Sequence, residues 1–171
     1  LTELRRPALL DVSRHDRTAF DSGEGTLDDW LRRYAGQNRR RDTAATWVVA
    51  DSGDTIVAYA TVAMTAIDRS TAQAIVAHQA PDPVPALLIG RLAVDRRHTC
   101  QGIGTALAAH ILATAVELNQ MAACRAVVVS ALHVEACRWW ERLGFRPLEP
   151  AGSLDLYLLT SDIQATLERL R

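Results

Sequence analysis

The chain has no lysine: all 19 basic side chains among its 171 residues are arginine, which a GC-rich coding sequence explains. Twenty acidic side chains offset them to a formal net charge of -1. A global basic excess is therefore excluded, and contact with a polyanion has to come from local clustering. Cysteine is scarce. Cys100, Cys124 and Cys137 form an odd set without a CxxC pair, which argues against both a disulfide framework and a zinc site. No metal ligand set is expected, and the thiols read as those of a reduced, cytoplasmic protein. No apolar run is long enough for a membrane span, and LTELRRPALLDV at the start has none that fits a signal peptide, so no membrane partner is expected. There is also no internal repeat, low-complexity tract or linker. At 49% hydrophobic and 23% charged, the composition is that of a globular chain, and a single domain over 1–171 is expected.

Within that frame the periodicities alternate between strand and helix. Leu9 to Val12 reads as a short strand, and FDSGEG (20–25) has turn chemistry. A helix is expected to start at Thr26, with Asp29 as capping-box partner and an apolar face of Leu27, Trp30, Leu31 and Tyr34. Arg32 and Arg33 lie opposite, and Arg39, Arg40 and Arg41 follow the last turn. Two strands over 46–50 and 56–62 flank the hairpin turn Asp51-Ser-Gly-Asp54. The three prolines of 79–85 exclude regular structure there. ALLIGRLAV (86–94) reads as a buried strand, with Gly90 marking a bulge or a close approach. A helix after Gly104 has Ile103, Ala106, Leu107, His110, Ile111 and Leu118 as its apolar face. RAVVVSA (125–131) is a second buried strand. Then come a helix from His133 to Leu143 ended by Gly144, a strand from Leu154 to Leu159 and a helix from Ile163 to Leu170. The order βαββ–βαβαβ predicts an α/β fold, a mixed sheet flanked by helices.

Strand, then Gln101-Gly-Ile-Gly104, then helix is the unit with the most chemical content. Glycines let a ligand approach the backbone, and a helix start offers free N–H groups and the positive end of the dipole, a seat for pyrophosphate. Glycines also occur in many turns that hold nothing. There is no Gly-Lys-Ser/Thr of a Walker loop, and the third glycine and ribose-binding acid of a dinucleotide fingerprint are missing.

The run GRLAVDRRHTCQGIGTAL resembles the acetyl-CoA-binding motif of the GNAT N-acetyltransferases, where Arg/Gln-x-x-Gly-x-Gly/Ala follows a strand ending in Val. Here Thr99 occupies the usual Arg/Gln position, which removes one side-chain phosphate contact and spares the backbone ones. The resemblance implies a central sheet splayed between two parallel strands, with the pantetheine arm pairing near Leu92, Ala93 and Val94. It implies acetyl-CoA as co-substrate, held by Thr99, Gln101, Gly102, Ile103, Gly104 and Thr105, with Ser130 able to touch cofactor or substrate or simply to cap its strand. FDSGEGTLDDWLRR and PALLIGRLAVDRRHTCQGIG are similar to one GNAT branch, the toxins of bacterial toxin–antitoxin pairs that acetylate the α-amine of aminoacyl-tRNA. That branch implies a ribbon-helix-helix antitoxin and a homodimer. A small amine, a protein N-terminus, or binding without turnover are the competing readings.

Two features bear on that implication. Arg32, Arg33, Arg39, Arg40, Arg41 and Arg91 could bind RNA phosphates, or could be a solvated face whose charges complement a helix C-terminus. In RWWERLGF (138–145), Trp140 falls where the family has a tyrosine acting as general acid to the departing thiolate. An indole N–H donates a hydrogen bond but does not titrate in the aqueous range. Trp140 is then an attenuating substitution, or water or another residue supplies the proton, or the residue is core. His98 and His133 read as a loop histidine and a helix-start residue.

Overall fold

The computed structural model describes residues 3–149 and 153–170. Among the described residues, seven strands hydrogen-bond in the order β1-β2-β3-β4-β5-β7-β6: β1 (Ala8–Leu9), β2 (Ala45–Ala50), β3 (Ile56–Ile67), β4 (Val84–Val94), β5 (Ala126–Ser130), β6 (Arg146–Pro147) and β7 (Asp155–Leu159). Six α-helices accompany them: α1 (Gly25–Arg33), α2 (Ala35–Arg40), α3 (Ala74–Ala77), α4 (Ile103–Met121), α5 (Val134–Arg142) and α6 (Ile163–Arg169). The sheet is mixed, as expected, with β4 and β5 parallel from Ala86↔Ala126 to Ile89↔Val129 and the β1–β2, β2–β3, β5–β7 and β6–β7 pairs antiparallel. The chain divides into two compact units, 1–63 with 90–110 and 64–89 with 111–171.

In the first unit the α1 face is fixed by aromatic packing on β3. Trp30 stacks on Tyr59 with centroids 6.1 Å apart, and Phe20 meets Tyr59 edge-on at 5.5 Å. The buried Tyr59 hydroxyl donates to the Leu27 carbonyl at 2.6 Å, and burial raises its pKa. Leu27, Trp30 and Leu31 thus face inward as predicted, but Tyr34 is 48% exposed. The helix stops at Arg33 and α2 starts at Ala35, so the 3.6-residue periodicity does not carry through Tyr34. Arg39 and Arg40 consequently belong to α2 instead of a tail. The capping box is also absent. The N-cap is Glu24, Thr26 lies inside the helix, and Asp28 takes the Ser22 N–H and hydroxyl at 3.0 and 2.6 Å. Asp29 pairs instead with Arg32 and Arg33.

Other boundaries shift for local reasons. β1 ends at Leu9, because Asp11 Oδ1 takes the N–H and hydroxyl of Ser13 and turns the chain. β3 continues to Ile67, with Met64 and Ala66 exposed and Ile67 buried, the alternation of a half-buried strand. Ala106 is exposed, and the buried line of α4 passes through Ile103, Leu107, Ile111 and Ala115.

In the second unit Val84 and Pro85, expected to be irregular, begin β4. A strand tolerates proline at its start, and the Pro85 carbonyl accepts the Arg125 N–H at 2.9 Å. β4 runs uninterrupted through Gly90. Val76, Val84, Ala126, Val128 and Tyr157 form part of the apolar cluster of this unit.

The end of α5 is a Schellman turn. Gly144, at φ +101°, donates to Glu141 O at 2.9 Å, and Phe145 N–H reaches back to Trp140 O at 3.2 Å. A Cβ on Gly144 would stand 2.8 Å from Arg169 Nη2 and 3.2 Å from the buried Thr166 Oγ1. Gly144→Ala is therefore expected to destabilise the protein by about 1–3 kcal/mol, read as a lower midpoint in thermal unfolding.

Candidate functional site

The segment between β4 and α4 is organised by one carboxylate. Asp95 is fully buried, and Oδ1 accepts the Arg97 backbone N–H at 2.9 Å and Arg97 Nε at 2.8 Å. Its Oδ2 accepts Arg97 Nη2 at 2.7 Å and the Asp21 N–H at 3.1 Å. The bond from the Arg97 side chain is the largest of the influences that hold the Asp95 pKa down to about 2. Further ties run between Asp95 N–H and Val57 O (2.8 Å), Arg96 N–H and Asp21 O (2.9 Å), and Arg97 Nη2 and Ala19 O (3.0 Å). Arg96 also pairs with the Asp21 side chain. The strand exit is thus locked to residues 19–21 before the glycine segment begins.

Beyond this lock the chain opens. Thr99 is exposed, and its hydroxyl donates to Arg96 O at 3.1 Å. Cys100 and Gly102 both have left-handed backbone, φ +59° and +77°. A Cβ on Gly102 would meet nothing within 4 Å, so glycine here serves conformation and leaves the backbone approachable. The first hydrogen bond of α4 runs from Ala106 N–H to Gly102 O at 2.9 Å, which leaves the N–H groups of Ile103, Gly104 and Thr105 ahead of it. No acidic residue lies in that first turn to compete for them. The arrangement suits a phosphate or pyrophosphate. Gln101 is exposed on the same segment. Leu92 and Val94 are half-buried, and the Ala93 side chain belongs to the core cluster around Trp30. His98 is half-buried, its Nδ1 without a hydrogen-bond partner and 3.9 Å from Asp95 Oδ1.

Trp140 lies in the second unit. It is only 6% exposed, and its indole meets Phe145 edge-on at 5.0 Å and Trp139 at 4.7 Å. Its position is C3 of the Schellman turn and Phe145 is C″, the pair that characteristically makes the apolar contact closing that motif. His133 is the N-cap of α5, as expected, and accepts the Ala136 N–H at 3.2 Å. Ser130 is exposed and donates to Asp155 Oδ1 at 2.6 Å.

The six arginines expected at RNA divide into two groups. Arg91 sits over the Trp30 ring at 4.5 Å, and Arg32 donates to Phe20 O at 2.9 Å, so both brace the first unit. Arg33, Arg39, Arg40 and Arg41 are exposed. Arg33 is at the 4.0 Å limit from Asp29, and the last three have no ion-pair partner among the described residues. The sequence reading missed the Asp95–Arg97–Asp21 lock. Its one signal, an acid directly followed by two arginines, is indistinguishable from a solvated charge run until Asp21 is placed.

The Asp95 pKa falls from its ordinary 3.8 to about 2 on folding, so its stabilisation is complete above about pH 4 and is lost as pH falls towards 2. Asp95→Asn is expected to be less stable than the parent at neutral pH, with the gap closing across that window in denaturant titrations at stepped pH.

A family model for the Acetyltransferase (GNAT) family matches residues 9–145. A tRNA-acetylating toxin of Mycobacterium tuberculosis is 34% identical over 152 residues, covering 89% of this chain and 90% of that protein. The solved structure of AtaT complexed with acetyl-methionyl-tRNAfMet shares the fold with a TM-score of 0.87 at 23% identity, covering 95% of this chain and 98% of that one. A tyrosine-to-phenylalanine mutant of the AtaT toxin, bound to the C-terminus of the antitoxin AtaR and acetyl-CoA, gives 0.82 at 23% identity, covering 95% and 97%. The chain belongs to the GNAT family of N-acetyltransferases.

Proposed function

We propose that the protein transfers the acetyl group of acetyl-CoA to the α-amine of aminoacyl-tRNA, as the translation-blocking toxin of a type II toxin–antitoxin pair with a ribbon-helix-helix antitoxin. The observation that carries this reading is the 34% identity to a tRNA-acetylating toxin over 89% of the chain. In this reading the free N–H groups of Ile103, Gly104 and Thr105 receive the pyrophosphate, Gly102 gives it room, and the backbone of Leu92 to Val94 aligns the pantetheine arm. The exposed arginines 39–41 take RNA phosphates through bidentate guanidinium contacts.

The transfer forms a bond from the amine nitrogen to the acetyl carbon and breaks the carbon–sulfur bond. The proton shed by nitrogen ends on sulfur. Trp140 cannot deliver it, because an indole N–H is not an acid in water's range. A thiol pKa near 8.5 makes the thiolate a tolerable leaving group, and water can protonate it. Turnover is therefore attenuated. The burial of Trp140 also favours a second reading, a module that binds acetyl-CoA or antitoxin without turnover.

With labelled acetyl-CoA and charged tRNA, slow labelling of the aminoacyl group is expected. Trp140→Tyr is expected to raise the rate by about 10²-fold or more, the usual worth of a general acid. Label appearing only with the variant would assign the parent to the binding module. If neither protein labels tRNA although both bind acetyl-CoA, the toxin reading falls.

A further inference from the structure

The outer face of α5 carries side chains that neither the fold nor the transfer reaction uses. Arg138 and Arg142 are one helical turn apart on the same side, and both are exposed. Neither has an ion-pair partner among the described residues. Of the acids on α5, Glu135 lies 3.2 Å from His133, and Glu141, adjacent to Arg142 in sequence, lines a cavity of about 470 Å³ beside α6; neither forms an ion pair with the two arginines among the described residues. Like charges at this spacing weaken a helix, so the pair is a local cost without a structural return. Between them in sequence stands Trp139, half-buried, its indole held edge-on by Trp140 at 4.7 Å and 79°. A partly open aromatic ring packed on its neighbour, one turn from the exposed Arg142 and next in sequence to the exposed Arg138, is a combination that suits single-stranded nucleic acid. The ring stacks on a base irrespective of sequence, and the guanidiniums take the adjacent phosphates. An acidic peptide would satisfy the arginines but gives the indole no role.

We propose that this face of α5 binds single-stranded RNA, with Trp139 stacking on a base and Arg138 and Arg142 on phosphates. That the RNA is the acceptor's own single-stranded end rests on the function proposed above; the binding itself does not.

The test is a fluorescence-anisotropy titration of a labelled, unacylated, short single-stranded RNA against the full chain over a series of salt concentrations. Arg138→Gln/Arg142→Gln is expected to weaken binding and to flatten the slope of log K against log salt by about 1.4, roughly 0.7 for each lost phosphate contact. Trp139→Ala is expected to weaken binding by about 5- to 100-fold with the slope unchanged, and Trp139→Phe by less. Parental thermal midpoints for the arginine variants separate these losses from misfolding, and Trp139→Phe replaces Trp139→Ala if the latter does not fold. Parental affinity and slope in the double-arginine variant would overturn the proposal, even if the parent acetylates aminoacyl-tRNA. Polyglutamate binding more tightly than RNA, unaffected by Trp139→Ala, would overturn it in favour of an acidic protein segment. If the parent labels no tRNA but the titrations show the expected losses, the transfer reading fails and the RNA-binding face stands.

Discussion

A carboxylate removed from water is tolerated only when its charge is opposed and its lone pairs are used, since the uncompensated cost is several kcal/mol. Asp95 meets both conditions through Arg97 and two backbone N–H groups. The consequence is geometric. Its bonds draw on residues far apart in sequence, Asp21 and Arg97 directly, with Val57 and Ala19 joined through the adjoining ties. The direction in which the chain leaves β4 is therefore set before the glycines are reached. Gly102 and Cys100 adopt left-handed backbone on the far side of this hydrogen-bonded turn. The backbone N–H groups at the start of α4 have no side chain to adjust their aim, so their direction depends on such a lock.

A second constraint concerns the aromatic-x-x-x-Gly-Phe pattern. Its spacing is that of a helix C-cap: an aromatic at C3, glycine at C′ with positive φ, and an apolar residue at C″ to close the turn. Gly144 and Phe145 follow from backbone geometry whatever the chemistry at C3. The cap asks of C3 only an apolar ring that can meet Phe145, and the indole of Trp140 does so at 5.0 Å. A tryptophan at C3 therefore closes the turn without offering a titratable proton. The packing of Trp140 on Phe145 is thus set by the turn itself.

The residues that were legible in the sequence are those whose signals are local. Leu27, Trp30 and Leu31 declare a helix face, Gly144 a helix end and QGIG an approachable turn, and each stands as read. Failures occur where a distant or competing partner decides. Thr26 looks like a cap, but Ser22 and Asp28 bond to each other first and move the helix start to Gly25. Tyr34 fits the periodicity, but the axis breaks beneath it. Arg91 and Arg32 read as free charge until Trp30 and the Phe20 carbonyl are placed beside them. The Asp95 lock was invisible because Asp21 lies 74 residues away in the chain.

These placements also show how a chain of net charge -1 still presents local positive charge. Arginine, the only strong base available, is divided by what its guanidinium touches. Arg5, Arg14, Arg32, Arg91 and Arg97 are engaged by carboxylates, carbonyls or an indole. Arg39, Arg40 and Arg41, like Arg138 and Arg142, are exposed and have no ion-pair partner among the described residues. Net charge averages the two populations and hides the second. Because counterion release depends on local phosphate contacts and not on total charge, any polyanion contact made through these few residues has a salt dependence set by their number. An all-arginine surface strengthens that local effect, since each guanidinium can take a phosphate in bidentate fashion and also stack on a base, where a lysine would offer only a point charge.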